Sequence, residues 1–171
     1  LKTLAERGGD AGQLDFWDER IAEKGSFIMR TRLQMLGEFE RQVSAVHLKL
    51  SENKLPLTIA YLPGFERKNG QSAQDAFTFS AEKDADSCKI SQEVLKVAFV
   101  EKLQTVRKDE IQRGVTTQGP HRDELRFIAN QIDMGTYGSR GQIRTVLMAL
   151  KIGEMHWLRE KTGEWPVLLL D

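Results

Sequence analysis

Apolar residues recur three or four positions apart, or at multiples of that spacing, from about residue 15 to residue 50: Trp17, Ile21, Ile28, Met35, Phe39, Val43, Val46 and Leu50. That period marks one face of a long amphipathic helix. At the helical rise, roughly 35 residues would reach about 50 Å, so the helix must project or find an antiparallel partner. Gly25 and Gly37 are where a bend is expected. Residues 57–62, LTIAYL, read as a strand, and Pro63-Gly64 stops it. Residues 65–90 are polar and mixed in charge, and read as loop with a short strand at 77–79.

From Ser91, a good N-cap, the positions Leu95, Ala98, Phe99, Leu103 and Val106 predict a second helix to about Gln112, ended by Gly114. Its length and apolar face suit it as a partner for the far part of the long helix. Residues 126–128 and 131–133 bracket Asn130 as a short hairpin. A glycine-rich turn then opens a helix over about 139–161, with Ile143, Val146, Leu147, Leu150, Trp157 and Leu158 as its buried face. Gly163 closes that helix and Pro166 blocks its continuation. The apolar run 167–171 reads as a strand buried on both faces, as in a parallel sheet.

Composition adds limits more than direction. With 171 residues, 40% hydrophobic and 29% charged, the chain suits one soluble globular domain, or a small domain with an appendage. Lys and Arg number 25 and Asp and Glu 25, so no global field marks a polyanion partner, although a local basic stripe could be balanced elsewhere. The single cysteine, Cys88, cannot close an internal disulfide, which fits a reducing, cytoplasmic compartment. No apolar run approaches the roughly 20 residues of a membrane span, so no membrane is expected as a partner. The first fourteen residues read as a polar lead-in without a signal-peptide pattern, and both ends read as cuts. His47 and His156 have no second ligand at helical spacing and no cysteine neighbour, so they do not suggest a metal site. Trp17, Trp157 and Trp165 read as packing anchors.

Two strings carry chemistry. In Tyr137-Gly138-Ser139-Arg140-Gly141-Gln142 a glycine turn opens a helix, whose free N–H groups and dipole favour an anion, phosphate above all. Gly138 and Gly141 let a backbone approach an oxyanion, Ser139 can cap the helix and donate to phosphate, and Arg144 adds charge one turn on. An ordinary serine cap after a flexible turn explains the same residues. In Pro166-Val167-Leu168-Leu169-Leu170-Asp171, a carboxylate ends an apolar strand, where open α/β sheets place ligands and nucleotide-hydrolysing folds hold Mg²⁺. Taken alone, that string is common. Their order, turn then helix then strand ending in Asp, is that of an ATP-binding-cassette signature followed by its Walker B strand.

Together with Gly119-Pro120-His121-Arg122-Asp123-Glu124-Leu125 and Ala149-Leu150-Lys151, these strings resemble the RecF family of DNA replication and repair proteins. Leu14-Asp15-Phe16-Trp17-Asp18-Glu19 and the strand ending Tyr61-Leu62 resemble the same family's arm region. The resemblance implies an α/β fold: part of a cassette ATPase head, its signature and Walker B lobe, with a helical antiparallel arm. The implied division is a lead-in at 1–14, an arm with a small strand element at 15–112, and a C-terminal lobe at 113–171. It also implies an ATP-dependent homodimer that binds double-stranded or gapped DNA and works with RecO and RecR in repair of gaps and stalled forks.

In that family each nucleotide is sandwiched between one subunit's P-loop and the other's signature. Carried over, Gly138, Ser139, Arg140, Gly141 and Gln142 face nucleotide across the dimer, and Asp171 acts on Mg²⁺ in its own subunit's site. His121 and Arg122, with Arg144, support the signature or face DNA; a satisfied loop histidine is the other reading of His121. Arg140 departs from the glutamine expected in RecF and could set a cation beside the phosphate. No Gly-x-x-x-x-Gly-Lys-Ser/Thr string occurs in the chain, and the residue after Asp171 is absent, so the chain by itself is not expected to hydrolyse ATP. The competing expectations are a helical interaction module that never handles nucleotide, and the head of another cassette-type chromosome ATPase, which the Gly-Pro-His-Arg-Asp string and the short arm disfavour.

Overall fold

The computed structural model describes residues 1, 8, 12–52, 55–64, 77–78 and 91–169. In chain order the elements are α1 (Gln13–Leu50), β1 (Leu57–Leu62), β2 (Phe77–Thr78), α2 (Gln92–Arg113), a 3-10 turn (Pro120–Arg122), β3 (Glu124–Ala129), β4 (Ile132–Asp133), α3 (Met134–Tyr137) and α4 (Arg140–Thr162). The described residues fall in two compact units. One holds those within Leu1–Arg32, Leu62–Gly70 and Lys89–Glu124, and the other those within Leu33–Tyr61, Gln71–Cys88 and Leu125–Asp171.

The first unit is built on the opening turns of α1 and on α2. Ser91 caps α2 by accepting from the Val94 N–H, and Gly114 ends it in the left-handed region at φ 67°, where a side chain would strain the backbone. The two helices run antiparallel. Gln92 donates to the Glu23 carbonyl, Lys96 lies 3.4 Å from Glu19, and Arg107 sits 2.6 Å from both Asp15 and Asp18. Asp18 and then Asp15 hold the Arg107 guanidinium above its ordinary pKa. Between the helices Ala22 and Met29 are buried, as are Leu95, Phe99 and Leu103.

Helix α1 continues through Gly25 without interruption from Gln13 to Leu50. A Cβ at Gly25 would sit 2.5 Å from the Phe99 ring, so the glycine is there to admit that ring against the helix backbone. The buried stripe also differs from the expected one. Trp17, Ile21, Ile28 and Met35 are each at least 40% exposed, and the residues that face inward are Ala22, Ser26, Met29, Leu33 and Leu36. Over these turns the buried face is displaced by about one position from the expected one, and it mixes the small Ala22 and Ser26 with the large Met29, Leu33 and Leu36.

In the second unit the sheet order is β2-β1-β3-β4, with β1 antiparallel to β2 (Ala60 opposite Thr78, Tyr61 opposite Phe77) and β3 antiparallel to β4. The β3–β4 turn is built on Asn130 and Gln131 at φ 50° and 62°, the positive pair that a tight hairpin with right-handed twist needs. Of the short strand expected at 77–79, Phe77 and Thr78 form β2 and Phe79 lies outside the described residues. Val43, Leu57, Ala129, Met134, Val146 and Ala149 make the core, with Phe39, Val46, Leu55, Phe127 and Leu150 packed around it. The Glu40 carboxylate is buried as well, and accepts the Ile59 N–H at 2.5 Å.

Helix α4 meets the later part of α1 through Gly153, where a Cβ would stand 2.6 Å from a Val43 methyl. Its inward residues are Val146, Ala149 and Gly153; the expected inward Leu147 is 55% exposed. Further along, the Trp157 indole donates to Glu38, and Lys161 lies 2.7 Å from the same carboxylate. Lys161, then Trp157, hold the Glu38 carboxyl below its ordinary pKa. Beyond Gly163, Trp165 folds back under Arg159 at 4.1 Å and beside His156. Residues 167–169 form no strand, and Val167 and Leu169 are 88% and 86% exposed. An apolar run becomes a buried strand only between neighbours, and among the described residues none pairs with it. Cys88, Leu170 and Asp171 lie outside the described residues.

Candidate functional site

The turn that opens α4 is fixed by local bonds. Asp133 caps the short helix α3, accepting from Gly135 N–H at 2.9 Å and from the Thr136 hydroxyl at 3.3 Å. Gly138 follows, its N–H donating to the Met134 carbonyl, and a Cβ there would run into that carbonyl oxygen and the Ile143 side chain. Glycine is therefore needed for tightness, at an ordinary φ of −68°.

Ser139 and Gln142 then form a complete capping box. The Ser139 Oγ accepts the Gln142 N–H at 3.3 Å, and the Gln142 Oε1 accepts the Ser139 N–H at 2.8 Å. Both bonds use acceptor atoms of the two side chains. The Ser139 hydroxyl hydrogen and the Gln142 amide group remain as donors, the amide oriented by its cap bond.

Gly141 differs from Gly138. A Cβ at position 141 would meet nothing closer than the Ser139 Oγ at 4.0 Å. Packing among the described residues does not require glycine there, and glycine in a helix is generally less favourable than alanine. The open space beside the backbone fits the close approach of an external oxyanion. Arg140, Gly141, Gln142 and Arg144 are exposed, and neither arginine forms a hydrogen bond or ion pair among the described residues. One helix start thus gathers Gly138, Ser139, Arg140, Gly141, Gln142 and Arg144.

His121 and Arg122 belong to the other compact unit and to a different construction. The Asp123 carboxylate, with a side chain only 5% exposed, takes Arg32 at 2.5 Å on one oxygen and the Gly64 N–H at 2.9 Å on the other. Arg32 also donates to the Pro120 carbonyl at 2.6 Å. A Cβ at Gly64 would lie 2.6 Å from the Arg122 Cβ, and Gly119 has φ 140°, a region that disfavours side chains. Upstream, the buried Glu110 carboxylate accepts from the Thr117 N–H and hydroxyl and from the Gln118 N–H, pinning the approach to the turn. Every part of 119–123 is thus held except the side chains of His121 and Arg122. Those two are exposed and make no hydrogen bond or ion pair among the described residues.

Arg32, Gly64, Glu110 and Asp123 escaped the sequence reading as site-building residues. Only Glu110 could have been found, as an acid seven residues before Thr117 and just inside a helix end. The Arg32–Asp123 pair spans 91 residues and leaves no local trace. Among the described residues no cluster of three or more His, Cys, Asp or Glu could hold a metal, and no helix is long and apolar enough to cross a membrane.

No family model matches the chain. Curated relatives do, each a DNA replication and repair protein RecF. The protein of Gloeothece citriformis is 36% identical over 95% of this chain and 37% of its own length. That of Enterococcus faecalis is 35% identical over 100% of this chain and 41% of its own, and that of Roseiflexus castenholzii 36% over 93% and 36%. The chain spans about two-fifths of the length of these relatives. Two solved structures share the fold. The recombination mediator protein RecF–ATP in the RecFOR pathway matches with a TM-score of 0.79 and 28% identity, covering 99% of this chain and 40% of that one. Its RecF–ATPrS counterpart gives 0.77 and 25%, covering 96% and 39%. The α/β class expected from the sequence, part of a cassette ATPase head with a helical arm, is the fold of these neighbours. Over the stretch it spans, this chain belongs to the RecF family of DNA replication and repair proteins.

Proposed function

We propose that this chain is the signature-bearing part of a RecF-type ATP-dependent DNA-binding protein of recombinational repair, and that the turn at Gly138–Gln142 contacts ATP held by the other subunit of a homodimer. The observation that carries this is Gly141: a helix glycine with open space where a Cβ would be, beside a capping box that leaves two donors free. The solved neighbours bear ATP or ATPrS in their names, in keeping with a triphosphate at this turn. The Ser139 hydroxyl and the Gly141 backbone would meet the γ-phosphate, with Gln142 beside them and Arg140 adding a cation. Asp171 would bind Mg²⁺ in its own subunit's site. When bound, the triphosphate would supply the negative charge that the Ser139 hydroxyl, the Gly141 N–H and Arg140 meet across the dimer.

In this reading 15–112 is the arm and 113–171 the lobe that delivers the signature. His121 and Arg122 face DNA phosphates, because the surrounding turn is rigidly built while these two side chains are left without partners. Double-stranded or gapped DNA and RecO- and RecR-type mediators are the partners the reading implies. This chain contains no P-loop string, so the ATPase belongs to the whole protein.

The test is light scattering on the full-length protein with ATP and Mg²⁺, comparing wild type with Ser139→Arg. Dimers in wild type and monomers in the variant are expected. No response of the wild type to ATP would hand the chain to the competing reading of a helical interaction module.

A further inference from the structure

Helix α3 is a single turn, and packing holds little of it. Of its four residues only Met134 is buried, while Gly135, Thr136 and Tyr137 are exposed. Closing one helical turn is unfavourable without outside support. Here the support comes from both ends. Asp133 is the last residue of β4, opposite Ile128 across the hairpin, and also the N-cap of α3. One of its carboxylate oxygens accepts the Gly135 N–H at 2.9 Å and the other the Thr136 hydroxyl at 3.3 Å, with Arg126 Nε on the neighbouring strand 3.8 Å away. At the far end the Gly138 N–H donates to the Met134 carbonyl, and the next residue is Ser139, the cap of α4. The whole connection from β4 to Ser139 is thus α3 and Gly138. Within α4 the first buried residue is Val146, so the turn at 138–142 lies ahead of the packed part of its helix.

We infer that Asp133 is a positioning residue for the capped turn: by holding α3 closed it keeps Gly138 and Ser139 in the geometry from which the turn meets its ligand. Asp133 touches no ligand itself. Without its cap α3 frays, the bond from Gly138 to Met134 opens for part of the time, and the apparent affinity of the turn falls with the fraction that stays closed. The consequence for ATP rests on the nucleotide reading given above, whereas the coupling from Asp133 to Gly138 rests on the hydrogen bonds alone.

Two measurements on the full-length protein test this: exchange of the Gly138 amide with water, by NMR on ¹⁵N-glycine-labelled protein, and light scattering over a titration of ATP with Mg²⁺. In Asp133→Ala the Gly138 exchange should quicken about fivefold, the scale of one lost N-cap. The ATP concentration for half-maximal dimerisation should rise about threefold with its full amplitude kept. A residue that merely stabilised the fold would lower the amplitude, through loss of folded protein, and leave the midpoint in place. Asp133→Asn keeps an acceptor for the Gly135 N–H and caps as well as aspartate, so it should restore both values although it gives up the charge near Arg126. Unchanged Gly138 exchange in Asp133→Ala, an unmoved midpoint beside a wild type that does respond to ATP, or Asp133→Asn as impaired as Asp133→Ala would each overturn the inference. A wild type blind to ATP, with Gly138 exchange still quickened in Asp133→Ala, would sink the nucleotide reading and uphold the positioning role.

Discussion

Two glycine-containing turns carry the candidate chemistry, and they are built in opposite ways. The turn at 119–123 is held from a distance: Arg32 and Gly64 converge on Asp123, and the outcome is two presented side chains, His121 and Arg122. The turn at 138–142 is held by its own neighbours: Ser139 and Gln142 bond to each other's backbone, and the outcome is presented backbone and hydroxyl. A surface that must grip a phosphate with N–H groups needs local precision, which a capping box supplies. A surface that must hold out two side chains needs only a rigid post, and a buried carboxylate provides it.

The comparison can be broken at its strongest point first. Asp123→Ala removes the carboxylate that Arg32 and the Gly64 N–H share, and should destabilise the protein by about 3 kcal/mol, read by urea denaturation. A loss below about 1 kcal/mol would mean that the turn is not held from a distance at all. Ser139→Ala should cost about 1 kcal/mol, the usual value of one N-cap. Ser139→Asp sharpens the point, because aspartate caps as well as serine and stability should hold, while ATP-dependent dimerisation should fall for want of the hydroxyl hydrogen.

Gly141→Ala should act with the opposite sign. With room for the methyl, it should stabilise α4 by about 0.5 kcal/mol in thermal unfolding while weakening the ATP response in light scattering. Destabilisation would show that the glycine serves packing. Arg122→Ala should be the mildest, within about 0.5 kcal/mol of wild type in stability. Its effect should appear instead as weaker DNA binding with a shallower dependence on salt, measured by fluorescence anisotropy.

These two constructions also mark how far the sequence could be read. The helix ends at Ser91, Gly114, Ser139 and Gly163, the strand at 57–62 and the hairpin at Asn130 follow from residues a few positions apart, and all are in the structure. The capped turn at 138–142 was legible for the same reason, as the cap partner of Ser139 stands three residues away. The inward face of α1 was not, because Ala22, Gly25, Ser26, Glu40 and His47 are buried for closeness or for a specific bond, properties that hydrophobic periodicity does not see. Arg32 and Asp123 look like ordinary surface charges until the fold brings them together.

The ring of Phe99 seated at Gly25 has a mechanical meaning. A large side chain lodged in the notch of a facing helix acts as an indexing pin: the first turns of α1 and α2 cannot slide along their axes without climbing over backbone. Arg107, gripping Asp15 and Asp18, pins the same pair a second time near the other end. Two pins on one rod suppress both translation and splaying. Held at two points along its length, the pair resists sliding and splaying more than a pair held at either point alone.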